Sequence, residues 1–248
     1  MARYRYPRFT QRGLYFRGGH REAPGTEDCL HRGDSLPQRL DFARGATPPC
    51  GAHARKPIWT ILAQNMKLIN TDIEGVYIIE PRLFEDERGY FFEALSERKF
   101  AKLTGIDTRF VQDNESRSAR GVVRGLHFQL PPHAQSKLVR VVRGAILDVA
   151  VDIRRGSPTF GRYVAVELSE HNHRQLFIPR GFAHGFSVLS EQAVFTYKCD
   201  NLYHPEAEGG LLLSDPDVAI DWQVPEDKRV ISEKDTKHPL FKDLVSPF

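Results

Sequence analysis

From residue 66 to the C-terminus, apolar side chains come in short runs, several with a polar residue at every second position, and glycine or proline breaks them about every ten residues. Period-two alternation marks a strand with one buried face. It predicts strands at 76–79, 121–130, 137–142, 145–153, 162–168, 175–178, 185–189 and 194–198, with 110–114 a short extended piece. In 145–153 the alternation turns on Asp148 and Asp152; in 137–142 Arg140 interrupts an apolar run. One helix is predicted, over 96–103, with Ser96 as its N-cap and Gly105 as its stop. Residues 85–89, Glu-Asp-Glu-Arg-Gly, read as an acidic turn. The charged, proline-punctuated tail from Trp222 reads as a few helical turns and a loop. Many short strands between turns predict an all-β fold, an antiparallel sandwich or jelly roll with a few short helices.

Residues 1–65 follow neither period. They mix Arg, Gly, Pro and His and end in an apolar patch, Ile58 to Leu62. They read as a largely disordered N-terminal extension, preceding a domain that spans 66–248. Met66, the only methionine besides Met1, stands where regular patterning begins, which also suits an over-long start. No apolar core of a signal peptide is recognisable. The arginines would suit an organelle transit peptide, but Glu22, Glu27, Asp28, Asp34 and Asp41 speak against one. Charge divides at the same place: 11 basic against 5 acidic residues up to 65, and 24 against 27 beyond it. The net +3 of the chain is therefore no nucleic-acid footprint for the patterned domain. Cys29, Cys50 and Cys199 form neither a disulfide framework nor a C-x-x-C site, which fits a reducing, cytoplasmic setting. No apolar run approaches the ~20 residues of a membrane span.

The chemistry gathers between Val123 and Arg143. There His127 stands between apolar neighbours, with Arg124 before it and Lys137 at the start of the next strand pattern. An imidazole flanked by two cations suits anion binding and proton transfer, although a histidine among apolar residues is as often a satisfied core residue. Further on, Ile178-Pro179-Arg180-Gly181-Phe182-Ala183-His184-Gly185-Phe186 carries P-x-G-x-x-H. That pattern resembles the second motif of cupins, jelly rolls with a site at the barrel mouth. A metal cupin would place H-x-H in its first motif. Here the corresponding residues are His127-Phe128-Gln129, so the usual metal shell is incomplete and no metal is expected. His171-Asn172-His173 has that spacing but reads as a solvated polar turn.

Residues 66–248 as a whole resemble the dTDP-4-dehydrorhamnose 3,5-epimerase family. The matching motifs run in order from the F-x-D-x-R-G-Y-F-F-E segment (Phe84 to Glu93), through Q-D-N-E-S, V-R-G-L-H-F-Q, K-L-V-R-V-V-R-G, D-V-A-V-D-I-R and I-P-x-G-F-A-H-G-F, to Y-K-C-D-N-L-Y-H-P-E-A-E-G-G and S-E-K-D. The resemblance implies a cofactor-free isomerase that inverts C3 and C5 of a dTDP-4-keto sugar on the way to dTDP-rhamnose. It implies His127 as base, Tyr197 as proton donor, Lys137 as the cation at the enolate oxygen, and Asp235 as the group holding the imidazole tautomer. Arg88, Arg124 and Lys234 would meet the diphosphate or sugar, and Tyr203 would stack on the base. Glu93, Gln112, Asn114, His184 and Glu208 would complete substrate binding. The family is a homodimer with exchanged strands, so a partner subunit is expected to supply some of these groups. A metal-dependent oxygenase and a non-catalytic sugar-binding jelly roll are the competing readings.

Overall fold

The computed structural model describes residues 66–248; the expectations for 1–65 lie outside them. In chain order the elements are β1 (Met66–Asn70), β2 (Tyr77–Pro81), β3 (Phe84–Asp86), β4 (Gly89–Phe91), α1 (Glu97–Thr104) and β5 (Gln112–Ala119). Next come β6 (Val123–Gln129), β7 (Lys137–Arg143), β8 (Ala145–Asp152) and β9 (Tyr163–Ser169). The last are β10 (Gln175–Ile178), β11 (Phe182–Val188), β12 (Gln192–Cys199) and β13 (Glu208–Gly210). They form two antiparallel sheets, β1-β2-β10-β7-β12-β5 and β13-β6-β11-β8-β9, with β3 and β4 as a separate hairpin. This is the expected cupin-like jelly roll.

The core lies between the sheets, where Val139, Val141 and Phe195 cluster with Ile146, Ala150 and Phe186. The outer faces are covered too. Phe100 of α1 packs on Ile79, Leu138 and Phe177 of the first sheet. On the second sheet, Leu211, Leu213, Val218 and Trp222 pack against Leu147, Val149 and Val151. Strands covered on both sides lose the one-face alternation, which is why β11 is buried throughout and begins earlier than the predicted 185. Full burial of a Leu or an aromatic side chain stabilises by about 1.5–3 kcal/mol. Fully buried Leu211 and Trp222 therefore hold the C-terminal segment on the sheet.

Several local expectations change. The helix runs one residue later than predicted. Ser96 stands at its N-cap position without a side-chain cap bond, whereas Gly105 closes it in the left-handed region at φ 74°. The helical turns expected of the tail are three 3-10 turns, Glu226–Lys228, Asp235–Lys237 and Phe241–Asp243. The acidic turn is the tip of the β3–β4 hairpin. The extended piece at 110–114 runs into the eight-residue β5, which begins at Gln112. Among the described residues, no helix is long and apolar enough to cross a membrane.

Candidate active site

The site begins with a glycine. Gly125 in β6 has φ 118°, and a Cβ on it would fall 2.6 Å from the Gly185 Cα and 2.8 Å from the His184 carbonyl oxygen. Glycine alone fits that backbone at that distance, so β6 closes on β11 and His127 and His184 become direct cross-strand partners. The Gly125 N–H donates to Asp235 Oδ2 at 3.3 Å. The other carboxylate oxygen lies 2.8 Å from His127 Nε2. Asp235 is 3% exposed. Burial alone would raise its pKa, but the hydrogen bond and charge of His127, with donors from Gly125 and Ser232, hold it below the usual value. An ionised carboxylate only accepts, so Nε2 carries a proton, and in the neutral ring Nδ1 is then the atom with the free lone pair. Nδ1 lies 4.0 Å from Glu208 Oε1.

A second buried chain ends at Lys137. Its Nζ is 3.5 Å from His184 Nδ1, and His184 Nε2 is 2.8 Å from Asp148 Oδ1, a carboxylate with no exposed surface. Burial pushes the pKa of His184 down, leaving a neutral ring that donates to Asp148 and accepts from the lysine. Burial also lowers the pKa of Lys137, against the opposing charges of Cys199, Asp148 and Glu208. The ammonium stands 5.8 Å from the centroid of the Tyr197 ring. Burial raises the Tyr197 pKa and keeps the phenol protonated. Cys199, opposite Lys137 in the register, is buried, with its thiol pushed up to about 11 by burial.

The polar walls come from β5 and the 199–210 segment. The Gln112 side chain donates from Nε2 to Asn114 Oδ1 and accepts the Tyr203 N–H at Oε1. The Tyr203 hydroxyl and Lys234 Nζ both donate to Glu208 Oε2, at 2.6 and 2.5 Å. Gln129, where a metal cupin would carry a histidine, spends its amide on the backbone of His204 in both directions. His173, of the H-x-H turn, packs on Tyr90 and Phe92.

His127 lines three cavities. One of about 300 Å³ includes Gln112, Asn114, Lys137, Tyr197, Tyr203 and Glu208. One of about 160 Å³ includes Arg124, His184 and Tyr197. One of about 400 Å³ includes Arg124, Lys234 and Asp235. Ten of the twelve other expected site residues thus surround the His127 imidazole. Arg88 and Glu93 are the other two. Arg88 lies exposed at the hairpin tip, paired with Asp86, and Glu93 pairs with Lys99 at 2.8 Å. A larger cavity of about 430 Å³, lined by Ala94, Arg140, Gln175 and Lys198 among others, contains no imidazole. Sequence reasoning missed Asp148 as the partner of His184, and missed His238, whose ring meets that of His127 edge-on with centroids 5.4 Å apart.

A jelly roll whose cleft joins a carboxylate-held imidazole, a half-buried lysine and a protonated phenol is a cupin-like scaffold equipped for proton transfer. The chain belongs to the dTDP-4-dehydrorhamnose 3,5-epimerase family, a family of isomerases, whose model matches residues 70–243. It is 53% identical over 181 residues to the dTDP-4-dehydrorhamnose 3,5-epimerase of Methanothermobacter thermautotrophicus, covering 72% of this chain and 97% of that protein. The crystal structure of the Elizabethkingia anophelis dTDP-4-dehydrorhamnose 3,5-epimerase is similar with a TM-score of 0.71 and 55% identity, over 73% of this chain and 98% of that one. The Legionella pneumophila dTDP-6-deoxy-D-glucose-3,5-epimerase, solved with dTDP-4-keto-L-rhamnose, has a TM-score of 0.70 and 51% identity, over 72% and 94%.

Proposed function

We propose that the chain inverts C3 and C5 of dTDP-4-dehydro-6-deoxy-D-glucose to give dTDP-4-dehydro-L-rhamnose, for dTDP-L-rhamnose synthesis. The observation that carries this reading is the His127 imidazole, held through Nε2 by Asp235, in a cleft it shares with Lys137 and Tyr197. A C–H beside a ketone is acidic enough to lose its proton when a base takes it and a cation meets the oxygen. His127 Nδ1 removes the proton from one face, and Asp235 stabilises the imidazolium that results. The enolate oxygen is met by Lys137, whose lowered pKa makes its N–H a better donor to that oxygen. Tyr197 returns a proton to the opposite face, and solvent resets the imidazolium and phenolate before the second carbon reacts.

The nucleotide follows the remaining polar groups. Arg124 and Lys234 hold the diphosphate, Tyr203 offers its ring to the base, and Gln112, Asn114, His184 and Glu208 fix the sugar and linker. Arg88 and Glu93 act in the cleft of a second copy, carried there by the β3–β4 hairpin, whose Tyr90 and Phe91 are exposed. The test is incubation of the full chain with dTDP-4-keto-6-deoxyglucose in heavy water, followed by NMR. Deuterium at both C3 and C5 is expected. Deuterium at one carbon would mean a single-site epimerase, and none at either with the nucleotide bound would mean a binding protein.

A further inference from the structure

His238 is held against the proposed base by a built seat. It follows the 3-10 turn Asp235–Lys237, and three residues per turn put its ring on the same side as Asp235. The ring fills a slot left by Gly210, the register partner of His127 on β13. A Cβ at 210 would lie 2.3–2.5 Å from the Cε1, Nδ1 and Nε2 atoms of His238. Its Nε2 is buried and has no hydrogen-bond partner among the described residues, 3.9 Å from the Asp235 Oδ1 that His127 Nε2 approaches at 2.8 Å. A buried polar atom without a partner is costly, and here it points at a carboxylate already engaged with another imidazole.

We infer that His127 Nε2, Asp235 Oδ1 and His238 Nε2 form a binding site for a divalent transition-metal ion, and that the ion switches the proposed base off. Two imidazoles and one carboxylate are a donor set suited to zinc, cobalt or nickel. Around a tetrahedral zinc with bonds of about 2.0–2.1 Å, neighbouring ligand atoms stand about 3.3 Å apart. The two distances to Asp235 Oδ1, 2.8 and 3.9 Å, bracket that value, and the candidate ligand atoms of all three residues lie within 4.8 Å of one another. The ion would take the proton's place on Nε2 of His127. A neutral ring bound through Nε2 carries its proton on Nδ1, the atom needed as base. The cleft keeps its shape, so the ion lowers kcat and leaves KM nearly unchanged. This consequence rests on the role proposed for His127; the binding site does not.

The full chain, stripped with a chelator, is titrated with Co²⁺ followed by its visible absorption, and separately with Zn²⁺ in the exchange assay. Titrations of wild type and variant are compared, so metal held elsewhere cancels. Expected are one equivalent of Co²⁺, with ligand-field bands, that wild type binds and His238→Ala does not at the same concentration, and a chelator-reversible loss of kcat with Zn²⁺ at constant KM. His238→Ala should bind Co²⁺ at least about 100-fold more weakly, since losing even an outer-shell partner costs 10–100-fold. Gly210→Ala, which displaces the ring and keeps all three ligands, should weaken binding in the same direction. A His133→Ala/His204→Ala variant, altering the other imidazole pair near a carboxylate, should bind as wild type. Equal Co²⁺ affinity in wild type and His238→Ala, or loss of binding in the His133/His204 variant instead, would overturn the site. Co²⁺ bound through His238 while Zn²⁺ leaves exchange untouched would retain the site and remove His127 as the base.

Discussion

Asp235→Asn changes almost no volume and reverses the hydrogen-bonding sense of the dyad. The Gly125 N–H still needs an acceptor, so the new amide must place its oxygen where Oδ2 stands and turn its NH₂ toward His127 Nε2. Facing a donor, Nε2 becomes an acceptor and the ring proton moves to Nδ1, the cavity side. The variant also loses the charge that stabilises the imidazolium formed on proton abstraction. Charges about 4 Å apart at an effective dielectric constant of about 20 interact by about 4 kcal/mol, which is about three decades in rate. Screening is slight because Asp235 is 3% exposed. The prediction is a kcat about 1,000-fold lower with little change in KM, since Asp235 stands behind the imidazole. Deuterium incorporation by NMR in heavy water reads C3 and C5 separately, and both should fall together. A kcat within tenfold of wild type in a folded variant would refute the tautomer argument. A fall at one carbon only would refute His127 as the shared base.

Tyr197→Phe should still remove protons but fail to return one to the opposite face, cutting formation of inverted product by about 10²–10⁴-fold; unchanged rate and product stereochemistry would remove Tyr197 as donor. Gly210→Ala should cost about 1–3 kcal/mol by overpacking against the His238 ring, and an unchanged urea midpoint would show the slot to be loose. Burial alone would raise the Asp152 pKa, but hydrogen bonds from Arg154, Ser157 and Thr159 outweigh it and hold the carboxyl at about 2, against an ordinary 3.8. A lowered folded pKa gives stability that is present above the unfolded value and is lost as pH falls through the folded one. Wild type should therefore lose about 2 kcal/mol more than Asp152→Asn as pH drops from 5 toward 2; parallel urea-unfolding curves for the two proteins would refute it.

What the sequence showed follows from which faces are apolar. β7 and β12 place hydrophobic residues in the core and were legible nearly end to end. β5 was largely missed because its inward positions are Gln112, Asn114, Ser116 and Ser118, and a strand that lines a polar cleft leaves no hydrophobic period. The site residues hid for the same reason. Lys137 and Asp235 look like solvated charges in sequence, yet in the fold Lys137 is half-buried and Asp235 buried, so only the resemblance singled them out. Asp148 is different, because it could have been found. In A-I-L-D-V-A-V-D it takes one position of an otherwise apolar alternation, and a carboxylate placed there must meet a buried donor. His184, in F-A-H-G-F, is the matching intruder on its own strand. Register pairs Asp148 with Phe186 and His184 with Ala150, which sets acid and imidazole diagonally on one face of adjacent strands. Two polar residues breaking two apolar runs are each a liability alone. Together, Asp148 Oδ1 accepts from His184 Nε2, and this pairing leaves the other imidazole nitrogen free to hold Lys137 in the cleft.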